Sequence, residues 1–292
     1  MSTLILGCGY LGQSLGALLL RSGGQVWGSV RSPSRAEELA GSGIEPVIAD
    51  VLQPESLRRL PHADQVFYCV GFDRSAGVTM RAVSVDGFQN VLDHLPPSVQ
   101  RLVYASTTGV YGQMGGEWID EESPACPVHE SGRWCLEAES RLGAWAEASA
   151  VSAIVLRFAG LYGPGRIVRR TLLERGEPIP GDPDRFLNLI HIDDAAQAAA
   201  AALQAVEPER IYLVGDDRPV TRREYYLVAA QSLRAPEPRF VVPRPGSAEA
   251  ARDVTSKRVD NRRMKHGLGI RLLYPDITTG LPAALGSGLP PR

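Results

Sequence analysis

The 292-residue chain has little that would tie it to a membrane, a nucleic acid or an oxidising compartment. Its four cysteines, Cys8, Cys69, Cys126 and Cys135, form no C-x-x-C pair and share no metal-ligand spacing with histidine. No metal site is therefore expected, and a reduced, cytoplasmic protein is the natural reading. The formal net charge is -2, and the arginines cluster only as pairs such as Arg169-Arg170 and Arg222-Arg223. That distribution argues against nucleic acid and anionic membrane as partners. No run approaches the roughly 18 uninterrupted apolar residues of a membrane span. Ile5-Leu6-Gly7-Cys8 looks superficially like a lipoprotein cleavage site, but no basic segment and no apolar stretch precede it, so secretion is not expected. Internal repeats and low-complexity tracts are missing as well.

What is present is concentrated at the start. Thr3-Leu4-Ile5-Leu6 is a short apolar run, Gly7, Gly9 and Gly12 follow with G-x-G-x-x-G spacing, and an Ala/Leu-rich helical pattern begins at once. A strand, a tight turn and a helix with free N-H groups make a dinucleotide-binding start. Gly7 permits the turn, Gly9 lets a pyrophosphate approach, and Gly12 lets helix and strand pack closely, with Tyr10 and Leu11 beside the ligand. The second strand, Gln25 to Val30, ends in Arg31-Ser32-Pro33-Ser34-Arg35 rather than in the acid that commonly binds ribose hydroxyls. Arg31, Ser32 and Arg35 suit a ribose 2'-phosphate, which favours NADP(H) over NAD(H).

Further strands are expected at Glu45–Val51, Gln65–Gly71, Arg101–Ala105 and Ser152–Phe158, with helices at Ala82–Leu95, Ser131–Ser149 and Asp193–Val206. Alternating strands and helices predict an α/β fold: a Rossmann-type doubly wound parallel sheet with helices on both faces. Asp50 and Val51 are placed to cover an adenine, and Val70 and Gly71 to let backbone approach the ligand. Ser106 and Thr107 are delivered at a strand end, where ligands bind in such sheets. The polar stretch from Gln113 to His129 reads as a long loop.

These motifs together resemble the extended short-chain dehydrogenase/reductase family, of the NAD(P)-dependent epimerase/dehydratase type. The resemblance rests on the glycine motif, Val85-Asp86-Gly87-Phe88-Gln89-Asn90-Val91-Leu92, Ala105-Ser106-Thr107-Thr108-Gly109-Val110-Tyr111-Gly112, Leu156 to Gly165, and Leu189-Ile190-His191-Ile192-Asp193-Asp194. It implies a Rossmann domain over 1–162, joined again by part of 184–215, and a smaller C-terminal α/β substrate-binding domain over most of 163–292. It also implies a small polar or sugar-like substrate held between the two.

The family's proton-transfer element is Tyr-x-x-x-Lys, some two dozen residues beyond an active-site Ser or Thr. Here Thr107 matches the Ser/Thr, and the helix reads Ser131-Gly132-Arg133-Trp134-Cys135, an offset of 131 - 107 = 24. Ser131 thus stands for the Tyr and Cys135 for the Lys beside the nicotinamide ribose. An alkanol has no matched pKa for acid-base work, and a thiol supplies no permanent cation. The chain therefore resembles an atypical member. Tyr111, four residues past Thr107, is the substitute phenol to consider. Arg133, Tyr162, Arg166 and His191 are candidate substrate contacts, with Asp193 or Asp194 capping the helix after His191. The resemblance implies an oxidoreductase or epimerase, here with unusual catalytic residues. The loss of the Tyr and Lys motivates a rival, a non-catalytic NADP(H)-binding redox sensor. A third reading is a purely structural Rossmann remnant that binds no cofactor. The Trp134, Ala138, Leu142, Trp145 stripe is read as core first and as a homodimer face second.

Overall fold

The computed structural model describes residues 1–247, 249–250 and 253–286; residues 287–292 of the expected C-terminal region lie outside the described residues. Seven strands form one parallel sheet. They are β1 (Ser2–Leu6), β2 (Gln25–Val30), β3 (Glu45–Ile48), β4 (Gln65–Tyr68), β5 (Arg101–Thr107), β7 (Ser152–Phe158) and β12 (Ile211–Val214). Their order is β12-β7-β5-β4-β1-β2-β3, so the direction of winding reverses between β1 and β4. In such sheets the crevice beyond the carboxyl ends at that reversal is where ligands bind.

Period-two alternation builds the two cores. Ile5, Phe67, Val103 and Ile154 face α1 (Tyr10–Arg21) and the alanine-rich α7 (Ile192–Gln204). Leu4, Leu6, Val66, Tyr68, Leu102 and Tyr104 face the other way, toward α4 (Gly87–His94) and α5 (Glu130–Ser149). In α1, Leu11, Leu15 and Leu19 bury one stripe at helical spacing. A Cβ on Gly12 would lie 2.9 Å from Ile5 Cγ2, so the glycine is what lets α1 settle on β1. The remaining helices are α2 (Pro33–Ala40), α3 (Pro54–Leu57), α6 (Arg170–Glu174), α8 (Arg222–Leu233), and the segments Arg262–Gly267 and Ile277–Gly286.

Beyond the sheet, short strands pair across long sequence distances. β6 (Glu117–Ile119) pairs with β15 (Lys257–Val259), and β8 (Gly160–Tyr162) with β11 (Leu189–His191). β9 (Ile179–Pro180) pairs with β14 (Phe240–Val241), and β10 (Phe186–Leu187) with β13 (Val220–Thr221). A separate core of Tyr162, Ile179, Leu189, Tyr225, Ile277 and Leu281 holds this region together.

Several elements depart from the sequence-based expectation. β3 stops at Ile48 rather than Val51, because Asp50 turns the chain: its Oδ1 accepts from Leu52 N–H at 2.9 Å. The expected helix at 82–95 opens as one wide π turn over Ala82–Asp86 before becoming α-helical at Gly87. The 113–129 loop contains β6. α8 and the helix Ile277–Gly286 were not anticipated at all. Among the described residues no helix is long and apolar enough to cross a membrane.

Candidate functional site

A cleft of about 1070 Å³ opens over the carboxyl ends of β1, β2, β4, β5 and β7. Its floor is the glycine turn. Gly7 has φ +85°, and a Cβ there would sit 2.5 Å from Val70 Cα, so only glycine fits. A Cβ on Gly9 would meet nothing nearer than Gly7 O at 3.9 Å, and one on Gly71 nothing within 4 Å; both glycines leave the cleft open to a ligand. The turn is held from below, where Gly7 N–H donates to Ser29 Oγ at 2.9 Å and Cys8 N–H to Ser29 O at 2.9 Å. Helix α1 has no side-chain N-cap and no acid in its first turn, so its N-H groups and dipole are available to an anion. This combination fits the pyrophosphate of a dinucleotide.

At one end Arg31, Ser32, Arg35 and Asp50 line the cleft. Ser32 Oγ caps α2 by accepting from Arg35 N–H at 3.4 Å. Arg31 is paired with Asp73 at 3.0 Å, and Arg35 with Glu38. A narrower slot of about 60 Å³ continues from here between Asp50 and Val51 on one side and Val70 and Gly71 on the other. At the other end Ser106 and Thr107 line the wall, opposite Gly160, Leu161 and Arg166. Thr107 Oγ1 accepts from Gly109 N–H at 3.0 Å, which leaves its own proton to donate. Tyr10 spans the gap: its phenol donates to Pro164 O at 3.1 Å, Arg166 lies 5.5 Å over its ring, and burial pushes its hydroxyl up to about 12.

Thirteen of the residues picked from the sequence thus share one cleft: Gly7, Gly9, Tyr10, Leu11, Arg31, Ser32, Arg35, Asp50, Val70, Gly71, Ser106, Thr107 and Arg166. Val51 lines the adjoining slot, and Gly12 packs beneath. The others lie elsewhere. Tyr111 is fully buried; its phenol donates to Asp120 O at 3.0 Å and accepts from Arg157 Nη1 at 2.5 Å. Ser131 is exposed on the first turn of α5. Gly132, next to it, packs so tightly on the 108–110 turn that a Cβ would lie 2.3 Å from Gly109 O. Arg133 is exposed and donates to Val128 O at 3.1 Å. Cys135 is half-buried among apolar side chains, and burial pushes its thiol up to about 11. Tyr162 and His191 are buried under Gly280 and Tyr274 respectively, outside the cleft. His191, not Asp193 or Asp194, caps α7: its Nδ1 accepts from Asp193 N–H at 3.3 Å. Asp194 instead accepts from the N-H groups of Leu273 and Tyr274.

Behind the cleft wall lies a network whose roles sequence reading missed. Ser106 Oγ donates to Glu139, and Glu139 receives Arg157 through Nε at 3.2 Å and Nη2 at 2.6 Å. Arg157 then reaches Tyr111. A charged residue in the otherwise apolar β7, and another on the buried face of α5, were the available signals. The desolvation cost of a buried ion pair offsets much of its attraction, whereas removing one partner leaves an uncompensated buried charge. Lys257, also buried, donates to Tyr111 O at 2.9 Å, and burial lowers its ammonium to about 8.

The family model for the NAD dependent epimerase/dehydratase family matches residues 3–215. The chain belongs to this family. The family has an NAD(P)-binding Rossmann fold, and the glycine turn, the uncapped helix and the slot have the geometry that such a nucleotide needs. Protein YeeZ of Escherichia coli (strain K12) is 29% identical over 278 residues, covering 93% of this chain and 96% of that protein. A solved structure described as a functionally unknown conserved protein from Silicibacter pomeroyi DSS is 30% identical, with a TM-score of 0.81 over 97% of this chain and 98% of that one. The epimerase/dehydratase architecture itself is matched by the UDP-glucose 4-epimerase of Thermus thermophilus, solved with NAD, at 22% identity and TM-score 0.82, over 98% of each chain.

Proposed function

We propose that this family member is an NADP(H)-dependent oxidoreductase or epimerase/dehydratase-like enzyme with non-standard catalytic residues, acting on a small polar or sugar-like substrate. One observation carries the reading: a single cleft runs from a basic end, across an anion-receptive glycine turn, to a hydroxyl whose proton is free. Arg31, Arg35 and Ser32 bind the 2'-phosphate at one end. The turn and the first turn of α1 hold the pyrophosphate. Ser106 and Thr107 stand at the reacting end, with the lobe beyond residue 162 closing over the substrate.

The nicotinamide supplies hydride transfer when bound. Thr107 donates its hydrogen bond to the substrate oxygen and so orients and polarises it. Arg166, exposed on the opposite wall and without an ion pair among the described residues, holds an anionic or polar group of the substrate. Among the described residues no phenol or imidazole of ordinary pKa lines the cleft, so turnover is expected to be slow. That same observation favours a second reading, a redox sensor that binds NADP(H) without turnover.

Purified protein mixed with NADPH and a panel of aldehydes, ketones and keto-sugars separates them. The enzyme reading expects NADPH oxidation that falls by about 100-fold in Thr107→Ala, at unchanged NADPH affinity. Tight binding that distinguishes NADPH from NADP+ with no turnover on any substrate favours the sensor. Failure to bind either dinucleotide sinks both.

A further inference from the structure

The slot that continues the cleft is walled on one side by the segment between β4 and the π turn, which contributes Gly71, Asp73, Ala76 and Val78. Asp73 is built into that segment. Its Oδ1 accepts from Ser75 N–H at 2.9 Å and from Ser75 Oγ at 2.6 Å, which aims Oδ2 outward. Oδ2 receives Arg31 Nη2 at 3.0 Å. Ser75 first and Arg31 second hold the carboxyl below its ordinary range, so it is charged at neutral pH. The pair bridges the end of β2 and the segment after β4, across the mouth of the slot. The partner of Arg35 is different in kind: Glu38 comes from the same helix, three residues on, and bridges nothing.

We propose that Asp73 is an internal counter-ion that competes with the cofactor's 2'-phosphate for Arg31, and thereby sets how strongly the protein prefers NADP(H) over NAD(H). The inference rests on the assignment of Arg31 to the 2'-phosphate. A phosphate arriving at Arg31 brings two negative charges to the place where one carboxylate already stands. Either the guanidinium turns from Asp73 to the phosphate, or it serves both and the two anions repel. Both outcomes cost NADP(H) affinity. NAD(H), with a hydroxyl in place of the phosphate, leaves the pair closed over the slot and is spared that cost. Asp73 is thus a specificity residue that weakens the preferred ligand.

The test is a set of titrations on Asp73→Asn, Arg31→Ala and the double variant, with NADPH, NADH, 2',5'-ADP and 5'-AMP as probes. Asn keeps the acceptor for Ser75, so the turn is preserved while the charge is lost. Because both side chains are about half exposed, the expected gain is modest: about 2- to 5-fold tighter NADPH and 2',5'-ADP in Asp73→Asn. NADH and 5'-AMP should change less than about 2-fold, and the NADPH gain should shrink as salt is raised. In the Arg31→Ala background the gain should vanish. Equal tightening of phosphorylated and unphosphorylated probes overturns the proposal, as does a gain that survives without Arg31. If Arg31→Ala weakens NADPH selectively while Asp73→Asn changes nothing, only the counter-ion role fails. If Arg31→Ala leaves NADPH untouched, the 2'-phosphate assignment fails and takes this proposal with it.

Discussion

Tyr111 shows how a side chain placed near the chemistry by its motif can end up holding the scaffold. Its neighbours in sequence, Ser106 and Thr107, reach the cleft, but the short 3-10 turn at Thr108–Val110 swings the phenol into a separate core with Val110, Ile119 and Val259. There it ends the chain of bonds running from Ser106 through Glu139 and Arg157. Tyr111→Phe removes a hydroxyl that serves both Arg157 and Asp120, and leaves a buried donor without its acceptor. Urea denaturation should show a loss of about 1–3 kcal/mol, with NADPH affinity unchanged. A variant of wild-type stability that turns over more slowly would return Tyr111 to the chemistry. The residues that line the cleft were legible because each acts through local chain geometry: a glycine at positive φ, a helix start, an arginine at a strand end. The rest was not. Whether Tyr162 or His191 faces a cleft depends on Gly280 and Tyr274, which lie about a hundred residues away in sequence.

At the scale of the element, the same division holds. The β1-turn-α1 unit and β7 could be read from periodicity because both their ends carry local signals. β6 could not, since its partner β15 begins at Lys257 and nothing near Glu117 announces it. Helix α8 was missed for another reason. Its buried positions, Tyr225, Tyr226, Ala229 and Ala230, do form one helical face. But tyrosine and alanine contrast weakly with the less buried Leu227 and Val228 between them, so the sequence shows no marked apolar stripe. Yet its start carries a readable signature. Thr221 Oγ1 accepts from Glu224 N–H at 3.2 Å while Glu224 Oε2 accepts from Thr221 N–H at 2.7 Å, a closed capping box. Thr221→Ala should cost about 1 kcal/mol in thermal or chemical unfolding, Thr221→Ser should restore most of it, and cofactor binding should not move. An unchanged melting temperature in Thr221→Ala would show that the box contributes nothing beyond its neighbours.

For the molecule as a whole, the stretch that follows β12 is expected to set a pH limit. Asp216 is buried there; Oδ1 accepts from Arg218 N–H at 3.2 Å, and Oδ2 has no partner among the described residues. Burial, aided by Asp276, Asp217 and Asp194, raises its carboxyl well above the ordinary 3.8. The unfolded chain loses this proton near the ordinary value while the folded chain keeps it to higher pH. The folded state therefore binds more protons in that window, and stability falls as pH rises through it. Asp216→Asn keeps the acceptor for Arg218 and removes the charge. Differential scanning fluorimetry should find the variant more stable than wild type at about pH 8, and the two nearly equal at about pH 4. Parallel curves across that range would remove Asp216 from the account. The tyrosine that opens α1 has a longer reach than its place in the phosphate turn suggests. Because Tyr10 is anchored to Pro164 and lies under Arg166, the start of α1 and the 163–166 loop are pinned by one side chain. On the proposed reading, a substrate that moves that loop would pull directly on the phosphate turn.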